Sequence, residues 1–205
     1  YCGAVAVSWY RSDYTIKAIN ILLEVGVKTN IHYVVGNNTI DEAIKRLEEN
    51  DFPKGVNAVI FLLHKPTGLG KKDNVLKVDD ERVKRFYELI EKKHTFKVGM
   101  DSCNVPGAIN FCTDIREEAL DTCEGARFSC YISSDMKMVP CSFDQKGKFE
   151  VSLKDKTIEE AWNSDEFYRF RNIMQNSCPN CIKRQTCLGG CPLEPMVVLC
   201  KNKKR

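Results

Sequence analysis

The sequence predicts an α/β protein with a small cysteine-rich second part, and three observations predict it. Over the first hundred residues, short β-branched runs alternate with stretches whose apolar residues recur at helical spacing. Ten of the eleven cysteines lie between Cys103 and Cys200. The change of character falls near residue 100, which divides the chain into a unit at 1–100 and a unit at 101–205.

The elements follow in order. Residues 3–9 read as a strand, with Val5, Val7 and Trp9 on one face and Ala4, Ala6 and Ser8 on the other. Asp13 can cap a helix to about Val25, with Ile16, Ile19, Leu22 and Leu23 in helical register and Gly26 as the stop. Residues 27–35 form a second strand, and Thr39-x-x-Glu42 is a capping box before a helix burying Ala43, Ile44 and Leu47. A turn at Phe52-Pro53-Lys54-Gly55 leads into a third strand at 56–63. After a Gly- and Lys-rich loop, residues 80–93 form a helix carrying Val83, Phe86, Tyr87 and Ile90, and 95–100 form a last short strand. This alternation implies a parallel sheet with right-handed crossovers.

In the second strand Ile31, Tyr33 and Val35 share one side, and Lys28, Asn30 and His32 share the other. The polar set, continued by Ala4, Ala6 and Ser8, has two readings: a hollow that holds a ligand, or a sheet with one face exposed. Ligands of parallel α/β folds gather at the C-terminal ends of strands, which singles out Ser8, His32 and the loop from His64 to Gly70. That loop, with Gly68-x-Gly70, reads first as an ordinary connection.

Composition bounds the function. A hydrophobic fraction of 43% with 29% charged residues describes a globular chain, and 205 residues suffice to bury a core. The net charge of +3 owes much to the run Lys201, Lys203, Lys204, Arg205, which reads as a solvated tail. Neither nucleic acid nor membrane is therefore an expected partner, and no apolar run approaches the ~18 residues a span needs. Tyr1-Cys2-Gly3 has no secretory character, so a cytoplasmic location is expected. Strand-like sequence begins at once and without methionine, so the chain reads as part of something longer.

The informative segment is Cys178-Pro-Asn-Cys181-Ile-Lys-Arg-Gln-Thr-Cys187-Leu-Gly-Gly-Cys191, followed by Cys200. A Cys-x-x-Cys turn brings two thiolates to one metal centre, and Gly189 and Gly190 let the backbone close around it. Upstream, Cys123 and Cys141 bracket a hairpin built from 127–133 and 137–140 around Ser134-Asp135. Two capped helical segments follow, one from Thr157-x-x-Glu160 and one from Asp165 to Gln175. Zinc prefers four ligands, commonly two Cys-x-x-Cys knuckles, and there is one such knuckle here. Iron–sulfur clusters take thiolates in irregular runs of this kind, whereas disulfides need an oxidising compartment. Iron–sulfur is the favoured reading, with zinc and disulfides as the alternatives.

This pattern resembles the SPASM extension of radical S-adenosylmethionine enzymes. Its seven cysteines correspond to Cys123, Cys141, Cys178, Cys181, Cys187, Cys191 and Cys200. The stretch Asp135-Met136-Lys137-Met138-Val139-Pro140-Cys141 resembles the family's Asp-Gly-x-Val-x-Pro-Cys hairpin, with Met136 in place of glycine. The resemblance implies an α/β fold: the C-terminal part of a partial (β/α)6 radical SAM barrel, then a small SPASM domain with a β-hairpin and short helices. It implies two auxiliary [4Fe–4S] clusters. One would use Cys178, Cys181, Cys187 and Cys200; the other would use Cys123, Cys141, Cys191 and, as the chosen fourth ligand, Cys112. Cys130, sharing a face with Phe128 and Ile132, reads as a core cysteine, and Cys2 and Cys103 take no role. Ser8, Asn30 and His32 become the candidate cofactor contacts.

The sequence also departs from the family. No three cysteines show the Cys-x3-Cys-x2-Cys spacing that holds the cluster which cleaves S-adenosylmethionine. The expectation is a C-terminal fragment whose first strand would be left as a raw sheet edge. Ser8 stands where the family often has Ser-x-Asp, but Tyr10 replaces the acid. Ser142 follows Cys141 where the sulfatase-maturing branch has aspartate, and Asp144 lies two residues on, which argues against formylglycine formation. The resemblance thus implies an oxidoreductase that uses S-adenosylmethionine and a third [4Fe–4S] cluster elsewhere in the protein. It would act on a peptide or protein substrate, thioether or carbon–carbon crosslinking being the leading subclass, with a flavodoxin or ferredoxin as low-potential donor. No catalytic residue is nominated. The rivals are a stand-alone iron–sulfur electron-transfer protein and a zinc-stabilised interaction module.

Overall fold

Four parallel strands, β1 (Ala4–Ser8), β2 (Lys28–Val35), β3 (Ala58–Leu63) and β4 (Lys97–Met100), lie side by side in sequence order in the computed structural model. The structure describes residues 2–10 and 12–201; Tyr1, Arg11 and most of the basic tail (Lys203, Lys204 and Arg205) lie outside the described residues. Helices α1 (Asp13–Glu24), α2 (Ile40–Glu49) and α3 (Glu81–Ile90) make the crossovers. Crossovers of one hand between neighbours taken in order carry each helix to the same side of the sheet. That side is the core: Ile31, Tyr33, Val35, Val59, Phe61 and Leu63 pack on Ile19, Ala43, Leu47, Val83 and Phe86. Phe61 sits at its centre, fully buried between Tyr33 and Phe86 with ring centroids 5.5 and 5.1 Å away. Burial of each such side chain contributes about 1.5–3 kcal/mol.

The opposite face carries the small and polar set. Its register aligns Ala6 with Asn30 and Ala58, and Ser8 with His32, Ile60 and Gly99. Ala6 and Ser8 are exposed, and Asn30 and His32 half-buried. Asn57 donates to the Asn30 side-chain oxygen at 2.7 Å, so part of this polarity is internally satisfied. The sheet is open among the described residues, with β1 and β4 as its edges.

Two local expectations are corrected. The cap of α1 is Ser12, whose Oγ accepts from the Thr15 amide at 3.3 Å, and Asp13 is the first helical residue. The box at Thr39 does not form. Its hydroxyl donates instead to the Val34 carbonyl at 2.9 Å and accepts from Gly36 N–H at 2.8 Å, closing the turn after β2. Glu42 is taken by the Trp9 indole at 3.2 Å and by Arg46 at 2.8 Å. Tertiary partners outbid the local motif. At Thr157 nothing competes, and the capping box is complete.

After β4, a 3-10 turn (Ser102–Asn104) and α4 (Val105–Phe111) lead into the second unit. It holds a three-stranded antiparallel sheet, β5 (Tyr131–Ile132), β6 (Lys137–Val139) and β7 (Val151–Ser152), with α5 (Ile158–Trp162), α6 (Asp165–Asn176) and α7 (Arg184–Cys187). Its core is smaller: Ala126, Met138, Phe149, Val151, Phe167, Phe170 and Met174 are its main members. The chain then turns back, and Val197 and Leu199 bury in the first core, tying the two parts together. The hairpin is shorter than its sequence implies because Glu124 O accepts from the amides of Arg127, Phe128 and Ser129, winding that stretch into a turn. Phe128 is consequently exposed and Ile132 borderline, so the face that was to bury Cys130 does not exist as expected. No helix among the described residues is long and apolar enough to cross a membrane.

Candidate metal centre

None of the eleven cysteines forms a disulfide. Nine of the thiols, all but those of Cys2 and Cys112, fall into two groups, each reflecting how the backbone is bent.

The first group surrounds a cavity of about 290 Å³ between the two units, where Cys123, Cys141 and Cys191 meet Cys103 and Cys130. Cys123 comes from the extended segment before the Glu124 turn, Cys141 from the end of the β6 segment, and Cys191 from the loop beyond α7. The sulfurs of Cys123, Cys141 and Cys191 interact with one another. Cys130 also packs against the second core. The expected fourth thiol, Cys112, is not on this wall. It ends α4 and packs against the first core, with its sulfur 3.8 Å from the Tyr87 carbonyl. Helix α4 sends Cys112 one way, while the turn before it sends Cys103 toward the cavity.

The second group is centred on Cys187, whose sulfur interacts with those of Cys200, Cys178 and Cys181. Tight backbone brings them together. Cys178 and Leu188 are left-handed, with φ of 52° and 49°, and Cys181 N–H closes a turn on the Cys178 carbonyl at 3.0 Å. Gly190 is left-handed at φ 77°, and a Cβ there would stand 2.8 Å from Val198, so close approach as well as conformation calls for glycine. Thr122 donates to the Cys187 carbonyl at 3.0 Å and Thr186 to Glu117 at 2.7 Å, while Lys183 pairs with Glu117. These links stitch the group to the segment that leads into Cys123.

The donors suit thiolate ligation. Backbone amides of Gly125, Phe143 and Gly189 hydrogen-bond to the sulfurs of Cys123, Cys141 and Cys187, and Glu194 N–H donates to Cys191 Sγ at 3.4 Å. Such N–H···S bonds favour the charged sulfur and tune a bound cluster. Burial acts the other way: it pushes Cys123 up to about 11 and raises Cys141 and Cys187. These thiols are therefore neutral near pH 7 until a metal displaces their protons. Among the described residues no three His, Cys, Asp or Glu side chains converge closely enough to hold a single metal ion. Thiolates on a four-iron cluster bind different irons, so they need not converge on one point.

A buried charge network backs the first group. Lys65, at the end of β3, donates to Asp101 at 2.8 Å and to the Leu63 carbonyl at 2.9 Å, and its ammonium lies 4.9 Å from the Phe143 ring. Burial works against that charge, but Asp101 and Cys103 outweigh it and raise the Lys65 pKa. Asp101 also accepts from Asn104 Nδ2 at 2.7 Å, and Asn104 Oδ1 accepts from Tyr87 at 2.8 Å. From sequence, Lys65 stands out only as part of the 64–70 loop, Cys103 takes no role and Asp101 is not singled out. Their position at the C-terminal ends of β3 and β4 was the available signal. The glycine loop beside them is self-contained, with His64 bonded to the Lys71 carbonyl at 2.9 Å. Asp144 is equally structural, its carboxylate accepting from the amides of Lys148 and Phe149 at 2.9 and 2.8 Å.

A larger cleft of about 680 Å³ runs beside β4, lined by Val98, Met100, Ile115 and Leu120 with the carboxylates of Asp114 and Asp121. It contains no thiol and does not coincide with either sulfur group. Ser8, Asn30 and His32 lie on the open face of the sheet, Ser8 and His32 as direct register partners and Asn30 one rung away.

None of the curated proteins and none of the solved structures compared with the chain matches it. Residues 123–183, from the first cysteine of the hairpin through the Cys178–Cys181 knuckle, match the family model of SPASM, an iron–sulfur cluster-binding domain, and iron–sulfur binding is the chemistry this assigns to the cysteine-rich half.

Proposed function

We propose that this chain is the auxiliary-cluster portion of a radical S-adenosylmethionine oxidoreductase acting on a peptide or protein. The observation that carries this reading is that the SPASM match at 123–183 takes in members of two separate thiol groups, Cys123 and Cys141 of one and Cys178 and Cys181 of the other. Cys178, Cys181, Cys187 and Cys200 would hold one [4Fe–4S] cluster, and Cys123, Cys141 and Cys191 would hold another. The bound clusters supply one-electron redox chemistry or an anchoring site for substrate. The chain's own residues do the rest. Their backbone amides stabilise the thiolates, and the two apolar cores flank Cys123 and Cys191 of the first group. The open edge of β1 supports pairing with further strands of a barrel, and Ser8, Asn30 and His32 are placed to touch a cofactor on the uncovered face. In this reading the protein also uses S-adenosylmethionine and a third [4Fe–4S] cluster, neither of them held by these seven cysteines. A flavodoxin- or ferredoxin-type donor and a cytoplasmic setting complete the reading.

Anaerobic reconstitution followed by iron, sulfide and zinc analysis tests it. About eight irons and eight sulfides per chain are expected for two [4Fe–4S] clusters. About one zinc without sulfide would make this a structural metal module and remove the enzymatic reading.

A further inference from the structure

We infer that Cys103, carried by the Asp101–Asn104 turn at the end of the parallel sheet, is the fourth thiolate of the cluster site formed by Cys123, Cys141 and Cys191. The inference rests on the iron–sulfur reading above and assigns a residue that lies outside the matched segment. Three observations carry it. Cys103 shares the walls of the 290 Å³ cavity with those three cysteines. Its sulfur interacts with those of Cys123 and Cys191. The turn that bears it is held rigidly: Asp101 N–H donates to the Phe61 carbonyl at 3.0 Å, Asn104 N–H to Asp101 O at 3.0 Å, and Asn104 Nδ2 to Phe61 O at 3.0 Å. A ligand on so constrained a support loses little conformational freedom when it binds.

Lys65, ion-paired to Asp101 at 2.8 Å, also reaches the Cys103 sulfur, so the thiol sits beside a fixed ion pair. Ligation forms one S–Fe bond and releases the thiol proton to solvent, with no change of oxidation state. Cys112, by contrast, lies outside that cavity, with its sulfur 3.8 Å from the Tyr87 carbonyl, while Cys130 lines the cavity and also packs against the second core. A bond from Cys103 would join the parallel sheet directly to the cysteine-rich unit. Strand ends where a cofactor binds would then be linked covalently, through iron, to the auxiliary site.

The experiment reconstitutes the chain anaerobically as wild type, Cys103→Ala, Cys112→Ala, Cys130→Ala and, as reference, Cys123→Ala. Iron and sulfide are counted, and the reduced samples are examined by electron paramagnetic resonance. Cys103→Ala is expected to fall to the level of Cys123→Ala, losing about half the iron, while Cys112→Ala and Cys130→Ala match wild type. Full iron in Cys103→Ala, or a loss in Cys112→Ala or Cys130→Ala instead, overturns the assignment and leaves the iron–sulfur reading intact. Wild type without iron or sulfide overturns that reading itself. Cys103→Ser guards against misfolding, because it preserves the volume of the side chain. Its reduced spectrum is expected to shift as oxygen replaces sulfur at one iron, and an unchanged spectrum also overturns the assignment.

Discussion

The two halves of this molecule reach stability by different means. The sheet half buries a continuous set of branched and aromatic side chains between four strands and three helices, with loop residues such as Phe52 and Leu76 completing it. The cysteine-rich half has strands of two or three residues, a smaller core, and long irregular stretches bent by left-handed residues at Ala126, Met136, Cys178 and Leu188. Irregular backbone of this kind has few ladder hydrogen bonds, so something else must hold it. Apolar area specifies the first half, whereas the second combines a smaller apolar core with two groups of thiols.

The sharpest way to break this contrast is to remove the metal. Stripping reconstituted protein with an iron chelator is expected to abolish amide-exchange protection across 123–200 while β2 and β3 stay protected. Metal binding can supply on the order of 10 kcal/mol to a small ligand-held unit, more than any single side chain does. Equal protection in both halves after stripping would show that the second core suffices.

Next in size is the centre of the first core. Phe61→Ala is expected to cost about 3–5 kcal/mol, seen as a lower urea midpoint for the sheet half, because the ring is fully buried between Tyr33 and Phe86. A loss below about 1 kcal/mol would mean that this half does not depend on its apolar packing.

A smaller, pH-dependent effect belongs to the cap of α3. Asp80 accepts from the Arg82 amide at 2.9 Å and from its guanidinium at 2.7 Å, and hydrogen bonds from Arg82 hold its carboxyl below the ordinary carboxylate range. A group depressed in the folded state stabilises above its unfolded pKa, near 3.9, and loses that contribution as pH falls through the folded value. Asp80→Ala should therefore cost about 1 kcal/mol at neutral pH, and the deficit should shrink below about pH 4. A deficit unchanged at pH 2.5 would assign the loss to packing.

The smallest effect is a gain. Met136 adopts φ 62° with its side chain about half exposed, at the hairpin position where the resemblance calls for glycine. Met136→Gly should raise the thermal stability of the second half by about 0.5–1 kcal/mol, since only the side chain makes that conformation costly. A decrease would show that the methionine side chain contributes packing there.

Much of the fold was legible because its signals are local. Alternating and helical spacing placed the strands and helices of the first half, and Cys-x2-Cys-x5-Cys marked the second thiol group. What failed were motifs whose residues had better partners elsewhere. Thr39 and Glu42 have the spacing of a capping box, yet Val34, Trp9 and Arg46 claim them. Alternation across 127–133 promised a strand face for Cys130, but Glu124 winds that segment into a turn.

The sequence by itself determined the alternation of strands and helices, the shared polar face of Asn30 and His32 on their strand, and the knuckle at Cys178 and Cys181. Each depends on the geometry of neighbouring residues, which a short stretch of chain specifies. Only the tertiary structure decided which distant sulfurs share a cavity. Cys103 and Cys112 are nine residues apart on one short turn-and-helix segment, and their spacing alone does not rank them. The buried contacts of Asn104 and Tyr87 set how that segment rests on the sheet, turning Cys112 into the core and Cys103 toward Cys123 and Cys191.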